Sequence, residues 1–147
     1  MEVNLHIYSG IGNLIAIVDG IRNDLHISSK EVDHVYNFHD VNFDQLIILL
    51  PPSDPQNDLD VKIFNNDGSV ASNCINGARC VGRFIKDNSL LASNKFKVKT
   101  DGGLWELDNV ENNIFSAAFE VKAEIITKKV EAKGIELSLD CINLGNL

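Results

Sequence analysis

The sequence has few basic residues and no long apolar runs, and each of these absences argues against a class of function. Its 147 residues include 13 Lys and Arg against 21 Asp and Glu, which gives a net charge of −8, and the basic residues form no cluster. Such a surface repels phosphate groups, so we expect no nucleic-acid binding and no binding to anionic membranes. The longest apolar runs, Leu14–Val18 and Leu46–Leu50, are too short to span a bilayer.

Cysteine is also scarce. Cys74, Cys80 and Cys141 make an odd number, and their spacings match neither a disulfide framework nor a zinc site. Residues 1–4 show no basic segment followed by an apolar one, so no secretory signal is expected. We therefore predict a cytoplasmic protein with reduced thiols. At this length, with 44% hydrophobic residues, the chain is expected to fold as one domain over residues 1–147.

Patterns that bind nucleotides or metals are missing as well. The two glycine-containing loops match neither a phosphate-binding loop nor a dinucleotide fingerprint. His34 and His39 have no second ligand at metal-binding spacing, so we predict no metal site. No Ser-His-Asp or Cys-His arrangement can be established from the sequence alone.

What the sequence does contain is a polar stretch, Asn65–Arg83, between a predicted strand and a predicted helix. The helical periodicity begins after Cys74, which places this cysteine at or just before a helix N-terminus. Unpaired backbone N–H groups and the helix dipole favour an anion there. We therefore expect Cys74 to have more thiolate character than an ordinary buried thiol. The same N–H groups are expected to suit a substrate carboxylate.

Each cysteine also has a structural interpretation. Free cysteine is among the most buried residue types, so packing explains Cys74, taken alone, at least as well as catalysis does. Cys80 lies among apolar residues of the same predicted helix. Cys141 lies on the apolar face of an alternating strand. We predict that Cys80 and Cys141 are core residues.

The rest of the chain is dominated by strand patterns. About eight strands are predicted, among them Leu14–Val18, Leu46–Leu50, Asp60–Phe64, Lys95–Thr100, Ile114–Val121 and Val130–Leu144. Ser28 and Glu31 form a capping box for a helix that ends near Phe38. Small residues on the second helix permit close packing. We therefore predict a mixed α/β (α+β) domain, in which a curved, mostly antiparallel sheet wraps around that helix.

The central stretch resembles the signature of the diaminopimelate epimerases. The run NNDGSVASNCINGARCVGRF is similar to that family's N-A-D-G-S and C-G-N-G-A-R-C segments. Three further segments resemble family motifs in the same order: Gly10–Asn13 with Ile17–Asp19, Phe43–Leu46, and Leu144–Asn146. The similarity covers essentially the whole chain but only the first of the family's two domains.

The resemblance implies both a fold and an activity. It implies a diaminopimelate-epimerase-like domain, with a barrel-like curved sheet of about eight strands around a central helix. It also implies conversion of LL- to meso-diaminopimelate, without a cofactor, in lysine and peptidoglycan precursor biosynthesis. Cys74 would be one of two proton-transferring thiols. The other would come from a complementary C-terminal domain, and a chain lacking that domain would self-associate through an exposed apolar patch near Cys74 and the chain end.

The resemblance also implies a set of site residues. Substrate contacts are implied for Asn13, Gln45, Asn65, Ile75, Asn76 and Asn146. Ile75 stands where the family has a glycine whose backbone N–H binds the substrate carboxylate, and Asn146 matches a contact to the distal end of the substrate. Each asparagine has an alternative explanation as a turn or cap residue.

Departures from the family pattern keep two alternatives open. Ile75 places a β-branched side chain where a ligand should approach the backbone. The first alternative is therefore a truncated or degenerate relative that binds a small amino acid or a partner chain without catalysis. The second is another isomerase of the same architecture, such as the phenazine-pathway relatives, which lack this cysteine signature.

Overall fold

The computed structural model describes residues 4–22, 25, 27–38, 41–111, 114–120 and 124–143. The predicted site residue Asn146, as well as His39, lies outside this set. The described residues form β1 (His6–Gly10), β2 (Asn13–Asp19), α1 (Ser29–Phe38), β3 (Gln45–Leu50), β4 (Leu59–Asn65), β5 (Val70–Ala71), α2 (Ile75–Asp87), β6 (Lys95–Thr100), β7 (Gly103–Glu111), β8 (Ile114–Phe119), β9 (Glu124–Ala132) and β10 (Ile135–Asn143).

Eight of these strands form one curled sheet in the order β1-β2-β3-β4-β6-β7-β8, with β5 paired to β4. Its pairs are antiparallel except β2–β3 and β4–β6, whose connections contain α1 and α2. A helix is the usual crossover between parallel strands. Because α2 packs against β1 and β2 near one end of the sheet and β7 and β8 at the other, the sheet curls around it. The predicted curved sheet around a central helix is confirmed.

The sheet carries a core on each face. Its inner face packs on α2, where Val81, Phe84 and Ile85 are almost fully buried. Its outer face, along β2, β3 and β4, packs on α1 through Val32. Strands covered on both faces have continuous apolar runs instead of alternation. This explains why Leu46–Leu50 is apolar throughout.

The first helix begins as the sequence predicts. Glu31 Oε2 accepts hydrogen bonds from the backbone N–H and the hydroxyl of Ser28, both at 2.7 Å. This is the reciprocal half of a capping box, and it satisfies a backbone donor ahead of α1. Among the described residues, neither helix has the length and apolar character needed to cross a bilayer.

The hairpin formed by β9 and β10 is a separate two-stranded sheet. The predicted single strand Val130–Leu144 is therefore wrong, because the chain reverses at Lys133 and Gly134, both with positive φ. Its apolar face stays open, with Leu137 43% and Leu139 46% exposed. Cys141 lies in the same alternating row and is exposed, so its predicted core position is also wrong.

Candidate functional site

A cavity of about 460 Å³ opens where the start of α2 meets the sheet. Its lining is mostly amide and small side chains: Asn13, Gln45, Asn65, Val70, Ala71, Ser72, Asn73, Cys74, Ile75 and Asn76. Six of the seven predicted site residues therefore lie around one space. Sequence reasoning did not assign residues 70–73 to the site, although they adjoin Cys74 in the polar stretch.

Strand directions bring three of the amides together. Asn13 begins β2, Gln45 begins β3 and Asn65 ends β4. Since β2 and β3 run parallel and β4 runs antiparallel to β3, these three positions fall at the same end of the sheet. Gln45 pairs in register with Ile15 on one side and Asn65 on the other. The convergence therefore follows from strand pairing between distant segments.

Cys74 is the N-cap of α2. Its backbone is extended, with φ −150° and ψ 99°, and its Sγ accepts a hydrogen bond from the Gly77 N–H at 3.2 Å. This is the geometry of a polar N-cap side chain, with sulfur in place of oxygen. The side chain is 8% exposed. The predicted position at a helix N-terminus is confirmed.

Two glycines let the backbone pack closely around this sulfur. A Cβ on Gly77 would lie 2.9 Å from Cys74 Sγ and 2.5 Å from Ile47 Cδ1. A Cβ on Gly10 would lie 2.8 Å from the Asn76 carbonyl oxygen. Real Cβ atoms do not approach that closely, so a side chain at either position would displace the start of α2.

Burial dominates the protonation of both helix thiols. It raises the pKa of Cys74 above its usual range, and the backbone N–H groups of Gly77 and Asn76, followed by the charge of Arg79, lower that pKa by less. Burial, helped by the neighbouring Cys74, raises the pKa of Cys80 to about 11. Cys74 thus has the acidifying hydrogen bonds expected at a helix start, but its thiol still titrates above an ordinary cysteine.

Hydrogen bonds hold the amides of the cavity in place. Gln45 Nε2 donates to Asn65 Oδ1 at 2.9 Å, and Asn65 Nδ2 donates to Ser69 Oγ at 2.9 Å. Trp105 Nε1 donates to Asn73 Oδ1 at 2.7 Å. Arg79 donates to Asn76 Oδ1 at 2.8 Å. The polar wall is therefore set by neighbours behind it before any ligand enters.

The chemistry this arrangement offers is proton transfer and binding of a small polar molecule. It has one thiol, the first N–H groups of a helix and several amides around an open space. Within the part of the chain that the structure describes, no three His, Cys, Asp or Glu side chains come together as metal ligands.

Comparison with known proteins identifies relatives. The family model described as diaminopimelate epimerase matches residues 5–120. The diaminopimelate epimerase of Stutzerimonas stutzeri (strain A1501) is 33% identical over 150 residues, which cover 93% of this chain and 54% of that protein. The chain therefore spans about half the length of the curated relatives it matches.

Solved structures share the fold at lower identity. A phenazine biosynthesis protein of the PhzF family from Bacillus anthracis matches with a TM-score of 0.59 and 18% identity, over 85% of this chain and 41% of that one. A methylitaconate-delta-isomerase matches with a TM-score of 0.58 and 21% identity, over 92% of this chain and 39% of that one. Both likenesses concern the fold alone, and they agree with the curled sheet described above.

Proposed function

The chain belongs to the diaminopimelate epimerase family, and we propose that it supplies one half of a site that interconverts LL- and meso-diaminopimelate. The observation that carries the proposal is the convergence of Cys74, the start of α2 and four predicted amide side chains on one cavity. The reaction would serve lysine and peptidoglycan precursor biosynthesis. In this proposal no cofactor takes part, and two thiols remove and return the proton.

Inversion at a carbon centre requires a base on one face and an acid on the other. In the proposed reaction, the Cys74 thiolate removes the α-proton and a second thiol delivers a proton to the opposite face. The two sulfurs exchange roles in the reverse direction. Cys74 ends protonated and its partner ends as a thiolate, so charge and protons balance.

The helix start has its own role in the proposal. The substrate carboxylate lies against the first backbone N–H groups of α2, at Ile75 and Asn76, where the helix dipole favours negative charge. As the α-proton leaves, negative charge spreads from the α-carbon onto that carboxylate. Donors already pointing at this group stabilise the developing charge without having to reorganise.

A complementary half is needed to complete this site. Val70, on the cavity wall, is 48% exposed, and Ile11, in the adjoining turn, is 79% exposed. The β9–β10 hairpin exposes a second apolar face. Open apolar patches of this kind mark interaction surfaces. We propose that a C-terminal half, on the same or another polypeptide, covers the cavity and contributes the second thiol.

The raised pKa of Cys74 bears on the activity of this half alone. A thiol that titrates above its usual range is almost entirely protonated at neutral pH and is a poor base. We therefore expect the isolated chain to show no turnover. The second half and the substrate would supply the remaining interactions that favour the thiolate.

The test combines this chain with the C-terminal half of the Stutzerimonas stutzeri relative. The measurements are solvent-deuterium incorporation at the α-carbon and conversion of LL- to meso-diaminopimelate. We expect turnover from the complex and none from either half. Cys74→Ala should abolish it, while Cys80→Ala, which removes a buried thiol of the same helix outside the cavity, should retain it. A folded complex that incorporates no deuterium would refute the proposal.

One observation favours a second candidate function. Ile75 lines the cavity, and its own backbone N–H is one of those assigned to the carboxylate. A β-branched side chain there restricts the approach of a ligand. This supports a relative that binds a small amino acid or a partner chain without catalysis. Calorimetric binding of diaminopimelate by the completed protein, with no deuterium exchange, would select this function over epimerisation.

A further inference from the structure

The cavity amides can be oriented by the chemistry of their partners. The oxygen and nitrogen of an Asn or Gln side chain have nearly the same shape, so the hydrogen-bond network must decide which atom points where. Several partners behind this cavity wall can only donate or only accept. Each of them therefore dictates the orientation of the amide it contacts.

On the helix side, the partners are obligate donors. Trp105 Nε1 and the Arg79 guanidinium have hydrogen atoms to give and no lone pair to receive one. Asn73 and Asn76 therefore turn their oxygens toward these donors, at 2.7 Å and 2.8 Å. Their –NH₂ groups are not used in these bonds, and both residues line the cavity. This side of the cavity offers donors.

On the β3 side, the chain of bonds starts from an obligate acceptor. Asp67 Oδ1 accepts from the Ser69 hydroxyl at 2.6 Å and from the Ser69 N–H at 2.9 Å. Since the hydroxyl proton of Ser69 is used there, its oxygen accepts from Asn65 Nδ2. The Asn65 oxygen then accepts from Gln45 Nε2. The carbonyl oxygen of Gln45 remains, so this side offers an acceptor.

We propose that Asp67, Ser69, Trp105 and Arg79 are positioning residues that give the cavity a fixed polarity, with donors beside α2 and an acceptor beside β3. Such a cavity selects a ligand that carries a carboxylate and an ammonium group together. It disfavours a dicarboxylate or a diamine of the same length. This inference rests on the proposed amino-acid substrate and identifies the residues that enforce the choice.

The sharpest variant is Asp67→Ala. It removes the obligate acceptor, so the Ser69 hydroxyl is free to donate to Asn65 and the chain of bonds is no longer held in one direction. Gln45 can then present its –NH₂ group to the cavity. Asp54→Ala is the matched control, because Asp54 also accepts a turn N–H, from Gln56 at 2.9 Å, and does not line the cavity.

The first readout needs no ligand. In ¹⁵N-labelled protein, we expect Asp67→Ala to shift the side-chain amide resonances of Asn65 and Gln45, whereas Asp54→Ala leaves them in place. Trp105→Phe, which removes the indole N–H, should shift the Asn73 amide instead. If that core variant does not fold, the Asp67 variant still decides the question, since its side chain is exposed. An unmoved Gln45 amide would overturn the proposal.

The second readout is selectivity in the completed protein, measured with diaminopimelate, pimelate and 1,5-diaminopentane. We expect Asp67→Ala to weaken diaminopimelate binding about tenfold, the loss expected for a hydrogen bond to a charged group, and to leave pimelate binding unchanged or tighter. Equal losses for all three ligands would mean a merely structural role and would overturn the inference. Failure of the proposed epimerisation shows separately, as absent deuterium exchange in a protein whose amide resonances respond as described.

Discussion

Strands β6 and β10 have the same alternating pattern and opposite environments. In β6, Phe96 and Val98 are 3% and 0% exposed because they join the core built on α2. In β10, Leu137 and Leu139 are 43% and 46% exposed. Alternation therefore specifies a strand and its apolar face. What covers that face depends on another element of the fold.

The largest expected difference between the core built on α2, which includes Leu107, and the β9–β10 hairpin is in stability. Leu107→Ala removes a side chain that is 1% exposed and leaves a cavity, so we expect a loss of about 2–5 kcal/mol in the free energy of unfolding. Leu139→Ala, the same change on the hairpin, should alter it by no more than about 0.5 kcal/mol. Urea unfolding followed by the fluorescence of the single tryptophan measures both. Similar losses would show that the hairpin face is packed.

Two glycine substitutions, one in each region, are expected to lower the free energy of unfolding by smaller amounts. Gly10→Ala would drive a Cβ to 2.8 Å from the Asn76 carbonyl oxygen, so we expect a loss of about 1–3 kcal/mol from displacement of α2. Gly134→Ala has open space but a φ of 75°, which should cost about 1 kcal/mol in the hairpin alone. Native-state hydrogen exchange should show faster exchange along α2 only for Gly10→Ala. Equal effects on both regions would contradict this.

The cysteine thiols of the two regions are expected to differ in their reactivity. Cys141 on the hairpin is exposed, whereas Cys74 and Cys80 are buried and burial raises the pKa of both. At pH 8 we expect iodoacetamide to modify Cys141 at least about tenfold faster, a difference equivalent to about 1.4 kcal/mol. Peptide mass spectrometry over time measures the three rates. Modification of Cys74 as fast as Cys141 would show that it is already a thiolate.

The raised pKa of Cys80 also predicts how the stability of the protein changes at alkaline pH. The folded state keeps the Cys80 proton up to a pKa of about 11, above the value of 9.0 for an unperturbed thiol. The unfolded state therefore loses that proton first, and the resulting stabilisation, complete below pH 9, is lost as pH rises through 11. Cys80→Ala should flatten the decline in urea midpoint over this range. An unchanged slope would show that Cys80 does not contribute to it.

The smallest stability change is expected for the hairpin surface itself. Leu137→Thr combined with Leu139→Thr should leave the free energy of unfolding within about 0.5 kcal/mol of the parent. It should reduce self-association in analytical ultracentrifugation, because the exposed apolar face is smaller. Ser138→Thr on the opposite face is the control. A parent chain that stays monomeric at high concentration would argue against this face as a contact surface.

Local sequence features predicted much of the fold and part of the site. Turn residues before Cys74 and helical spacing after it located the start of α2, because caps and periodicity act over a few residues. The capping box at Ser28 located α1 in the same way. The exposed position of Cys141 was not predictable, since a covered and an open apolar strand face have the same pattern.

The hydrogen bonds of the cavity wall could not be predicted from local sequence features. The bond from Trp105 to Asn73 joins residues 32 positions apart, and the bond from Gln45 to Asn65 joins residues 20 apart. No spacing rule links such pairs. They exist because β3, β4 and β7 are carried into one sheet around α2.

Local sequence patterns specify most of the strands, both helix starts and the cysteine at the second of them, because backbone conformation and capping depend on neighbours within a turn. Packing of the whole chain sets which amides meet at Cys74, which partners each of them bonds, and that the last hairpin lies open. The physical reason is that burial and side-chain hydrogen bonding depend on which distant segments pack together, and strand pairing sets that choice.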